Sequence, residues 1–265
     1  MKKALLLFTF ILALLVGCTD TSTDPIMQGK SNLKVYLVDS PASLDSVIIN
    51  VKRVEVHKDG SDSTSGWITI NNSWRSFDLL QLRNGASAVL GDSVLPPGHY
   101  SQIRLILADG SYVINEGIKY NLTVPSGFQT GIKLNHEFTL EADKLYELVL
   151  DFNVDKSIHT TGNGKYMMNP VIRVMPIVTS GSISGQVLPL EAKATVFAYT
   201  GSDTISTYPD ENGFFKLMVL PQGSYNIGIT PLDSTVYKDS TITDVNVIAN
   251  QNTDLCIIEL KLKPP

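Results

Sequence analysis

Apolar and polar residues alternate with a period of two over most of the chain from residue 33 onward, and turn residues interrupt the alternation at short intervals. The most regular stretch covers residues 146–154, in which apolar residues alternate with Glu147, Asp151 and Asn153. Successive side chains of a strand point to opposite faces of a sheet, so the pattern predicts strands with one buried face. Many short strands without long helical periods indicate an antiparallel sandwich or barrel.

The alternation restarts on a smaller scale after Ser180-Gly181-Ser182. The remaining stretch of about 85 residues holds about six or seven predicted strands, which is the spacing of a small sandwich. We therefore predict an all-β fold with two antiparallel β-sandwich domains of immunoglobulin-like architecture. The first domain covers residues 32–178 and the second covers residues 182–265.

Three local features are predicted within these strands. The apolar phase of residues 47–56 shifts in the middle, which predicts a bulge near Lys52-Arg53. Residues 74–82 have the apolar spacing of one short helix. Cys256 alternates with Ile258, so we expect it to be a small buried residue on the core face of the last strand.

A turn phrase of the form Leu-Pro-x-Gly-x-Tyr occurs twice, at residues 95–100 and 220–225. Proline fixes the first turn dihedral, glycine permits a positive φ, and the tyrosine begins a strand with its ring over the sandwich edge. We interpret the phrase as the same turn chemistry used in both halves, and not as a repeated ligand site.

The first 18 residues have the layout of an export signal. Lys2 and Lys3 precede residues 4–16, an apolar run of 13 residues that is too short for the roughly 20 residues of a membrane-spanning helix. The tetrapeptide Leu15-Val16-Gly17-Cys18 resembles a bacterial lipoprotein box, which implies cleavage before Cys18 and acylation of that residue. Two or more acyl chains attach a protein firmly, because each buried methylene contributes about 0.8 kcal/mol. An ordinary secretory signal with an incidental cysteine is the alternative.

Residues 18–31 are rich in Thr, Ser and Asp and show no apolar period, which predicts a flexible tether after a signal peptide of residues 1–17. The acidic residues soon after Cys18 also resemble surface-export signals of lipoproteins from Bacteroidetes-type bacteria. We therefore expect a cell-envelope protein that is lipid-anchored to the outer membrane, on its periplasmic or its surface-exposed side.

The charge of the chain argues against some classes of partner, and its cysteine content argues against a disulfide. The 265 residues carry a formal net charge of -5, and no basic tract is present, which argues against nucleic acid or anionic lipid as a partner. Only two cysteines occur. If Cys18 is acylated, Cys256 has no partner, so no disulfide is expected. We predict no cofactor.

Residues 182–262 resemble the carboxypeptidase regulatory-like, prealbumin-like sandwich, in which the usual threonine is replaced here by Pro209. The resemblance implies a spacer or accessory domain without peptidase activity. Its motif consists of Gly185-Gln186-Val187, Asp210, Gly213, Phe215, Leu220-Pro221, Gly223 and Tyr225.

Residues 32–178 resemble a family of domains of unknown function, DUF4382, that is found in bacterial lipoproteins. The resemblance implies an exported β-rich domain with no established ligand, and Asn153 stands where the family often has Asp. The shared segments are residues 38–42, 54–57, 78–82, 95–105, 124–127, 131–134, 151–152 and 156–157.

The best candidate site is a row of oxygen-bearing side chains that lie about 7 Å apart along the strand of residues 146–154 and its continuation. A residue at the end of the first strand could add a further oxygen to this row. Such oxygens suit a calcium-like cation. The run from residue 151 imitates the start of an EF-hand loop, but Lys156 and Gly162 stand where glycine and glutamate are required. A solvated polar face is the more common use of such alternation. The candidate ligand-binding residues are Asp39, Asp151, Asn153 and Asp155.

No catalytic residues are assigned, because the four histidines show no zinc-like pairing and Ser126 has no nearby histidine or acid in the sequence. Trp67 and Trp74 suit either a sugar-stacking platform or packing at a core or edge.

We therefore expect a lipid-anchored, non-catalytic binding or adhesion module that meets the membrane through Cys18 and binds a glycan or an envelope protein. One alternative is a fimbrial or pilus-type subunit that assembles by strand exchange after cleavage beyond Cys18, at Lys30 or Arg53. A second alternative is a glycan-active enzyme with two carboxylates about 5 Å or 6.5 to 9.5 Å apart in a cleft.

Overall fold

Strands make up most of the chain in a computed structural model that describes residues 29–40, 42–62, 65–125, 130–201 and 203–264. The predicted signal peptide, Cys18, most of the tether and Ser126 lie outside these ranges. The described part contains one helical turn, α1 (Val154–Ser157), and 3-10 turns at Leu79–Gln81, Ile177–Thr179 and Leu190–Ala192. Its strands are β1 (Ser31–Ser40), β2 (Ser46–Lys58), β3 (Trp67–Asn71), β4 (Arg75–Asp78), β5 (Ala88–Leu95), β6 (Gly98–Leu107), β7 (Tyr112–Asn115), β8 (Ile118–Thr123), β9 (Ile132–Leu140), β10 (Leu145–Asn153), β11 (Ile158–Thr160), β12 (Tyr166–Met168), β13 (Ile172–Pro176), β14 (Ser180–Leu188), β15 (Thr195–Thr200), β16 (Asp203–Thr207), β17 (Phe214–Pro221), β18 (Gly223–Thr230), β19 (Ser240–Val247) and β20 (Asn252–Glu259).

The N-terminal strands form a sandwich of two sheets, which we call the first sandwich. One sheet has the strand order β13-β10-β1-β5, and the other has the order β11-β12-β8-β7-β2-β6-β9, with β3 and β4 also paired to β2. The long strand β2 thus pairs with four neighbours. Fully buried side chains fill the space between the sheets, among them Leu33, Val54, Ile103, Leu148 and Phe152.

The C-terminal strands form a smaller second sandwich. A three-stranded sheet with the order β17-β14-β20 faces a four-stranded sheet with the order β16-β15-β18-β19. A separate cluster of buried side chains lies between them, including Ile183, Val196, Leu217 and Ile227. The predicted all-β fold built of β-sandwiches is therefore confirmed. Within the described ranges, no helix is both long and apolar enough to cross a membrane.

The sheets are not purely antiparallel, contrary to the prediction. β1 runs parallel to β10 over nine paired residues, from Asn32 with Leu145 to Ser40 with Asn153. β14 runs parallel to β20, and β12 runs parallel to β8. Side chains alternate in the same way in parallel and antiparallel strands, so the period of two could not reveal strand direction.

Two of the local predictions concern the neighbourhood of β2. The bulge is confirmed, because the register between β2 and β6 shifts between Val51 and Arg53. The helix over residues 74–82 is wrong: strand β4 occupies its first half, and only the 3-10 turn Leu79–Gln81 follows. β4 pairs with β2 at the edge of the sheet, which places Phe77 in the core while Arg75 stays exposed.

The prediction that Cys256 is buried is also wrong, because its side chain is exposed. The backbone of Cys256 has φ 57°, and the register between β14 and β20 shifts next to it. This bulge inserts one residue into the alternation, so that Leu255 is half-buried before it and Ile258 is buried after it. Cys256 itself then points outward.

The repeated turn phrase has the same hydrogen bond in both sandwiches. The hydroxyl of Tyr100 donates to the carbonyl of Pro96 at 2.8 Å, and that of Tyr225 donates to the carbonyl of Pro221 at 2.9 Å. Both rings are buried, with 0% and 4% of their surface exposed. Each tyrosine thus ties the start of a strand to the turn before it, which confirms a shared structural use of the phrase.

The two sandwiches meet at a contact that we call the junction. Its apolar part is a cluster around Val38, Val149 and Val219. Its polar part is the side-chain amide of Asn84, which donates from Nδ2 to the carbonyl of Phe214 at 3.0 Å and accepts the backbone N–H of Lys216 at Oδ1. The amide therefore takes the place that a neighbouring strand would occupy along the edge of β17.

Removing either tyrosine hydroxyl should destabilise the sandwich that contains it. Tyr100→Phe and Tyr225→Phe each leave a carbonyl without its donor, so we expect a loss of about 1 kcal/mol of unfolding free energy in urea titrations. Tyr199→Phe is the control, because its hydroxyl makes no hydrogen bond with the described residues. Equal stability of all three variants would contradict the assigned role of the two bonds.

Replacing Asn84 should loosen the edge of β17 without disturbing either core. Asn84 has φ 55°, a conformation that glycine adopts without strain, so Asn84→Gly removes only the amide. We expect amide hydrogen exchange at Lys216 to accelerate roughly 5- to 10-fold, since one hydrogen bond is worth about 1 kcal/mol. Asn84→Ala should lower stability by about a further 1 kcal/mol through backbone strain. Unchanged exchange at Lys216 in the glycine variant would refute the strand-like role of this amide.

Candidate functional site

Two of the four predicted ligand-binding residues, Asp39 and Asp151, lie together at the junction. They belong to neighbouring parallel strands, with Val38 paired to Asp151. Only 7% of Asp39 and 9% of Asp151 is exposed. Both line a small cavity that is also lined by Thr207 of the second sandwich. The expected solvated face is therefore a buried acidic pair here.

The partners of these two carboxyl groups differ. Asp151 Oδ2 accepts a charge-assisted hydrogen bond from Arg173 Nη2 at 2.7 Å. Asp39 Oδ1 accepts the backbone N–H of Val154 at 3.2 Å, whereas Asp39 Oδ2 is buried and has no hydrogen-bond partner among the described residues. Asp151 is thus neutralised by a cation, and Asp39 is not.

Burial raises the pKa of Asp39 from 3.8 to about 9, and repulsion from Asp151 adds to the shift. The hydrogen bond from Val154 opposes the shift without cancelling it. Burial also raises the pKa of Asp151, while the guanidinium of Arg173 counteracts that rise. Asp39 is therefore a neutral carboxylic acid at pH 7, which makes it a poor ligand for a cation.

The other two candidates lie outside this pair. β10 ends at Asn153, whose Oδ1 accepts the N–H of Lys156 at 2.9 Å and caps α1. Asp155 is exposed in the single turn of α1 and not on the strand, so the predicted row of oxygens stops at Asn153. The structure brings Asp39 and Asp151 together and leaves Asn153 and Asp155 apart. In the described ranges no three His, Cys, Asp or Glu residues are grouped so that they could hold a metal ion.

A second candidate site lies on the outer surface of the nine-stranded sheet, and we call it the Trp67 face. Strand register aligns its side chains in two rows across β9, β6, β2 and β3. One row is Lys133, Arg104, Glu55 and Thr69, and the other is Asn135, Gln102, His57 and Trp67. Arg53 adjoins the first row through Glu55.

A buried carboxylate organises the cations of the Trp67 face. Glu55 is 5% exposed and contacts two guanidinium groups at once. Arg53 Nε lies 2.6 Å from Oε1, and Arg104 donates to Oε2 from Nε at 2.7 Å and also from Nη2. The guanidinium of Arg104 is stacked over Trp67, 4.0 Å from the ring centroid. Arg104 is therefore held from two sides in a fixed orientation.

The second row of the Trp67 face is also held in place. The ring of His57 meets that of Trp67 edge-on at 5.0 Å, and His57 Nε2 lies 3.0 Å from the carbonyl oxygen of Asp62. Glycine is needed at residue 66, where a Cβ would lie 2.6 Å from His57 Nε2. Gln102 Nε2 donates to Asn135 Oδ1 at 2.9 Å, which aligns the two amides at the surface.

Trp67 is the one residue of this face that sequence reasoning proposed for binding. The other members lie on β2, β3, β6 and β9, and strand register brings them together. Trp74, the second predicted platform residue, is 60% exposed in the turn between β3 and β4.

The architecture defines a β-sandwich protein, and sequence comparison identifies its family. The family of domains of unknown function DUF4382 matches residues 30–170, which is more than half of the chain. The chain therefore belongs to this family. No curated protein matches it.

Several solved structures are distantly similar. A cohesin–X–dockerin complex from Acetivibrio cellulolyticus shares 25% identity over 30% of this chain and 56% of that chain, with a TM-score of 0.25. The chain thus spans little more than half of that relative. The minor pilin GBS52 of Streptococcus agalactiae shares 11% identity over 88% of this chain and 97% of that chain, with a TM-score of 0.24. The shaft pilin SpaA of Lactobacillus rhamnosus GG shares 9% identity over 89% and 98%, with a TM-score of 0.27.

The buried carboxyl group of Asp39 should make stability depend on pH. It ionises near pH 4 in the unfolded chain and near pH 9 in the folded one, so the folded state holds one more proton between these values. Stability must then fall as pH rises through this window, by up to about 1.4 kcal/mol per pH unit. Asp39→Asn has no proton to lose, so its unfolding free energy should decline less between pH 5 and pH 8.

Urea titrations at several pH values measure this difference. Asp155→Asn is the matched control, because it removes an exposed carboxylate nearby and should keep the slope of the unchanged protein. Parallel pH curves for Asp39→Asn and the unchanged protein would show that Asp39 titrates normally.

Proposed function

We propose that the chain is a lipid-anchored lipoprotein of the cell envelope that acts as a non-catalytic binding or adhesion module. The Trp67 face is the observation that carries this proposal. It lies on a sheet whose opposite side is core, so the backbone beneath it is rigid. Contacts within the face fix Arg104 and Trp67, and both remain partly exposed to solvent beside the exposed Lys133, as recognition requires.

The proposed anchor rests on the order of segments along the chain. The lipoprotein-type signal, Cys18 and the polar tether precede residue 31, where β1 begins. A lipid at Cys18 would therefore hold the first sandwich near the outer membrane, with only a short tether between them. We further propose that the second sandwich is an accessory domain of the carboxypeptidase regulatory-like type, held against the first at the junction.

The acidic pair Asp39 and Asp151 does not suit a glycan-active enzyme. A glycosidase needs two carboxylates that face the same sugar in an open cleft. The second sandwich covers Asp39 and Asp151. A sugar chain has no access to that pair while the junction is closed.

The fimbrial alternative depends on whether cleavage removes β1 from the mature chain. Cleavage after Lys30 would leave β1 intact, whereas cleavage after Arg53 would remove β1 and half of β2. The second cut would open a groove lined by the present neighbours of Leu33 and Val35, into which another strand could add. Intact-mass measurement of the mature protein separates the two functions: a chain that starts at Cys18 supports the lipoprotein, and one that starts at Ser31 or at Val54 supports the fimbrial subunit.

Acylation should depend on one of the two cysteines. Cells that express the chain are fed an alkyne analogue of palmitate, and we expect label on the unchanged protein and none on Cys18→Ala, because the other cysteine lies outside the lipoprotein box. Cys256→Ala is the matched control and should label fully, since it removes the exposed thiol of β20. Equal labelling of Cys18→Ala and the unchanged protein would overturn the anchor.

The binding function itself is tested by a screen. The purified chain is applied to arrays of glycans and of envelope proteins, with and without calcium. We expect reproducible retention that calcium does not change, because the Trp67 face is cationic. Absence of retention in all conditions would contradict a binding module and favour assembly.

A further inference from the structure

The Trp67 face carries more positive charge than the rest of the chain leads one to expect. Arg53, Arg104 and Lys133 lie on it against the single carboxylate of Glu55, which leaves two positive charges in excess. The whole chain has a formal net charge of -5. The next acidic residue on the exposed side of β9 is Glu137, four residues and about 13 Å from Lys133. The excess is therefore local to this face.

Part of the excess charge is accessible from solvent, because Lys133 is exposed and the side chain of Arg104 is 19% exposed. Glu55 accepts from Nε and Nη2 of Arg104, so the remaining N–H groups of that guanidinium point away from the buried carboxylate. Lys133 lies across from Arg104 on the exposed side of β9, with its Nζ 6.0 Å from the Trp67 ring centroid. Lys133 forms no ion pair with any residue that the structure describes. The guanidinium of Arg104 and the ammonium of Lys133 thus both lie beside the ring of Trp67.

Neutral hydrogen-bonding groups accompany the two cations. Gln102 and Asn135 lie two residues away along the same strands, which is about 7 Å. Arg104 and Lys133 lie on adjacent strands, and so do Gln102 and Asn135. The backbone positions within each of these two pairs are therefore about 5 Å apart. A carboxylate placed on Arg104 and Lys133 therefore has amide donors and acceptors at the distance of the hydroxyl groups on the same sugar ring.

We propose that the Trp67 face binds an acidic polysaccharide, with a sugar carboxylate on Arg104 and Lys133 and sugar hydroxyls on Gln102 and Asn135. This inference rests on the proposed binding function and names its ligand class. A planar carboxylate matches the fork of a guanidinium, and the ring of Trp67 holds that fork flat. Arginine clusters also bind acidic peptides, but this face adds two amides and an aromatic ring to its cations. Those groups match the hydroxyls and apolar ring faces of a sugar chain.

The experiment uses the full chain in detergent and calorimetric titration with alginate, a polymer of sugar carboxylates. Pullulan serves as the neutral polysaccharide and poly-L-glutamate as the acidic peptide. We expect binding of alginate that weakens as sodium chloride rises from 50 to 500 mM, because the excess charge is exposed. Pullulan and poly-L-glutamate should bind at least tenfold more weakly.

Charge reversal locates the site. Lys133→Glu should weaken alginate binding at least tenfold, while Lys238→Glu, the same change on an exposed lysine of the second sandwich, should change it less than twofold. Both lysines are exposed, so both variants should unfold at the temperature of the unchanged chain. Arg104→Lys keeps the charge but loses the fork, and a three- to tenfold loss is expected.

Three results would overturn the inference: no binding of alginate, equal loss in the two lysine variants, or poly-L-glutamate bound as tightly as alginate. Retention of a neutral glycan or of a protein in the screen, together with no binding of alginate, would leave the proposed binding function standing and reject only this ligand class.

Discussion

The first sandwich depends on the pairing of β1 with β10. β1 is one of the two inner strands of its sheet, with β10 on one side and β5 on the other. Leu33, Val35 and Leu37 project from it into the core. Its partner lies more than a hundred residues away along the chain, so the pairing closes a long loop at a substantial cost in chain entropy. Burial of three fully covered aliphatic side chains, at about 1.5–3 kcal/mol each, offsets that cost.

Three carboxyl groups in this sandwich show how their partners decide their state. Glu55 is buried between two guanidinium groups and organises a cationic surface. Asp151 is buried against one guanidinium, which opposes the effect of burial on its pKa. Asp39 has one backbone amide as its partner, and burial keeps it protonated. Burial thus raises the pKa of both aspartates, and the guanidinium beside Asp151 opposes that rise where Asp39 has no such partner.

The sequence pattern predicted the fold class because a period of two survives in nearly every strand, whatever its direction. The prediction failed where one extra residue shifts the alternation of buried and exposed positions. The bulge at Cys256 makes that residue point outward, although the sequence pattern predicts a core position. The pattern placed Asp39 and Asp151 in one candidate site, but their burial depends on how the second sandwich packs against the first, which no local pattern describes. The Trp67 face was missed except for Trp67 itself, because Arg53, Arg104 and Lys133 become neighbours only through strand register.

The two outer strands of the three-stranded sheet are each protected against pairing with a second copy of the chain. Exposed strand edges template aggregation when many copies of a protein are held close together. The Asn84 amide occupies the edge of β17. The left-handed backbone at Cys256 and the carboxylate of Asp254 interrupt the edge of β20. When many copies of the chain are held close together, these two edges are therefore closed to pairing between copies.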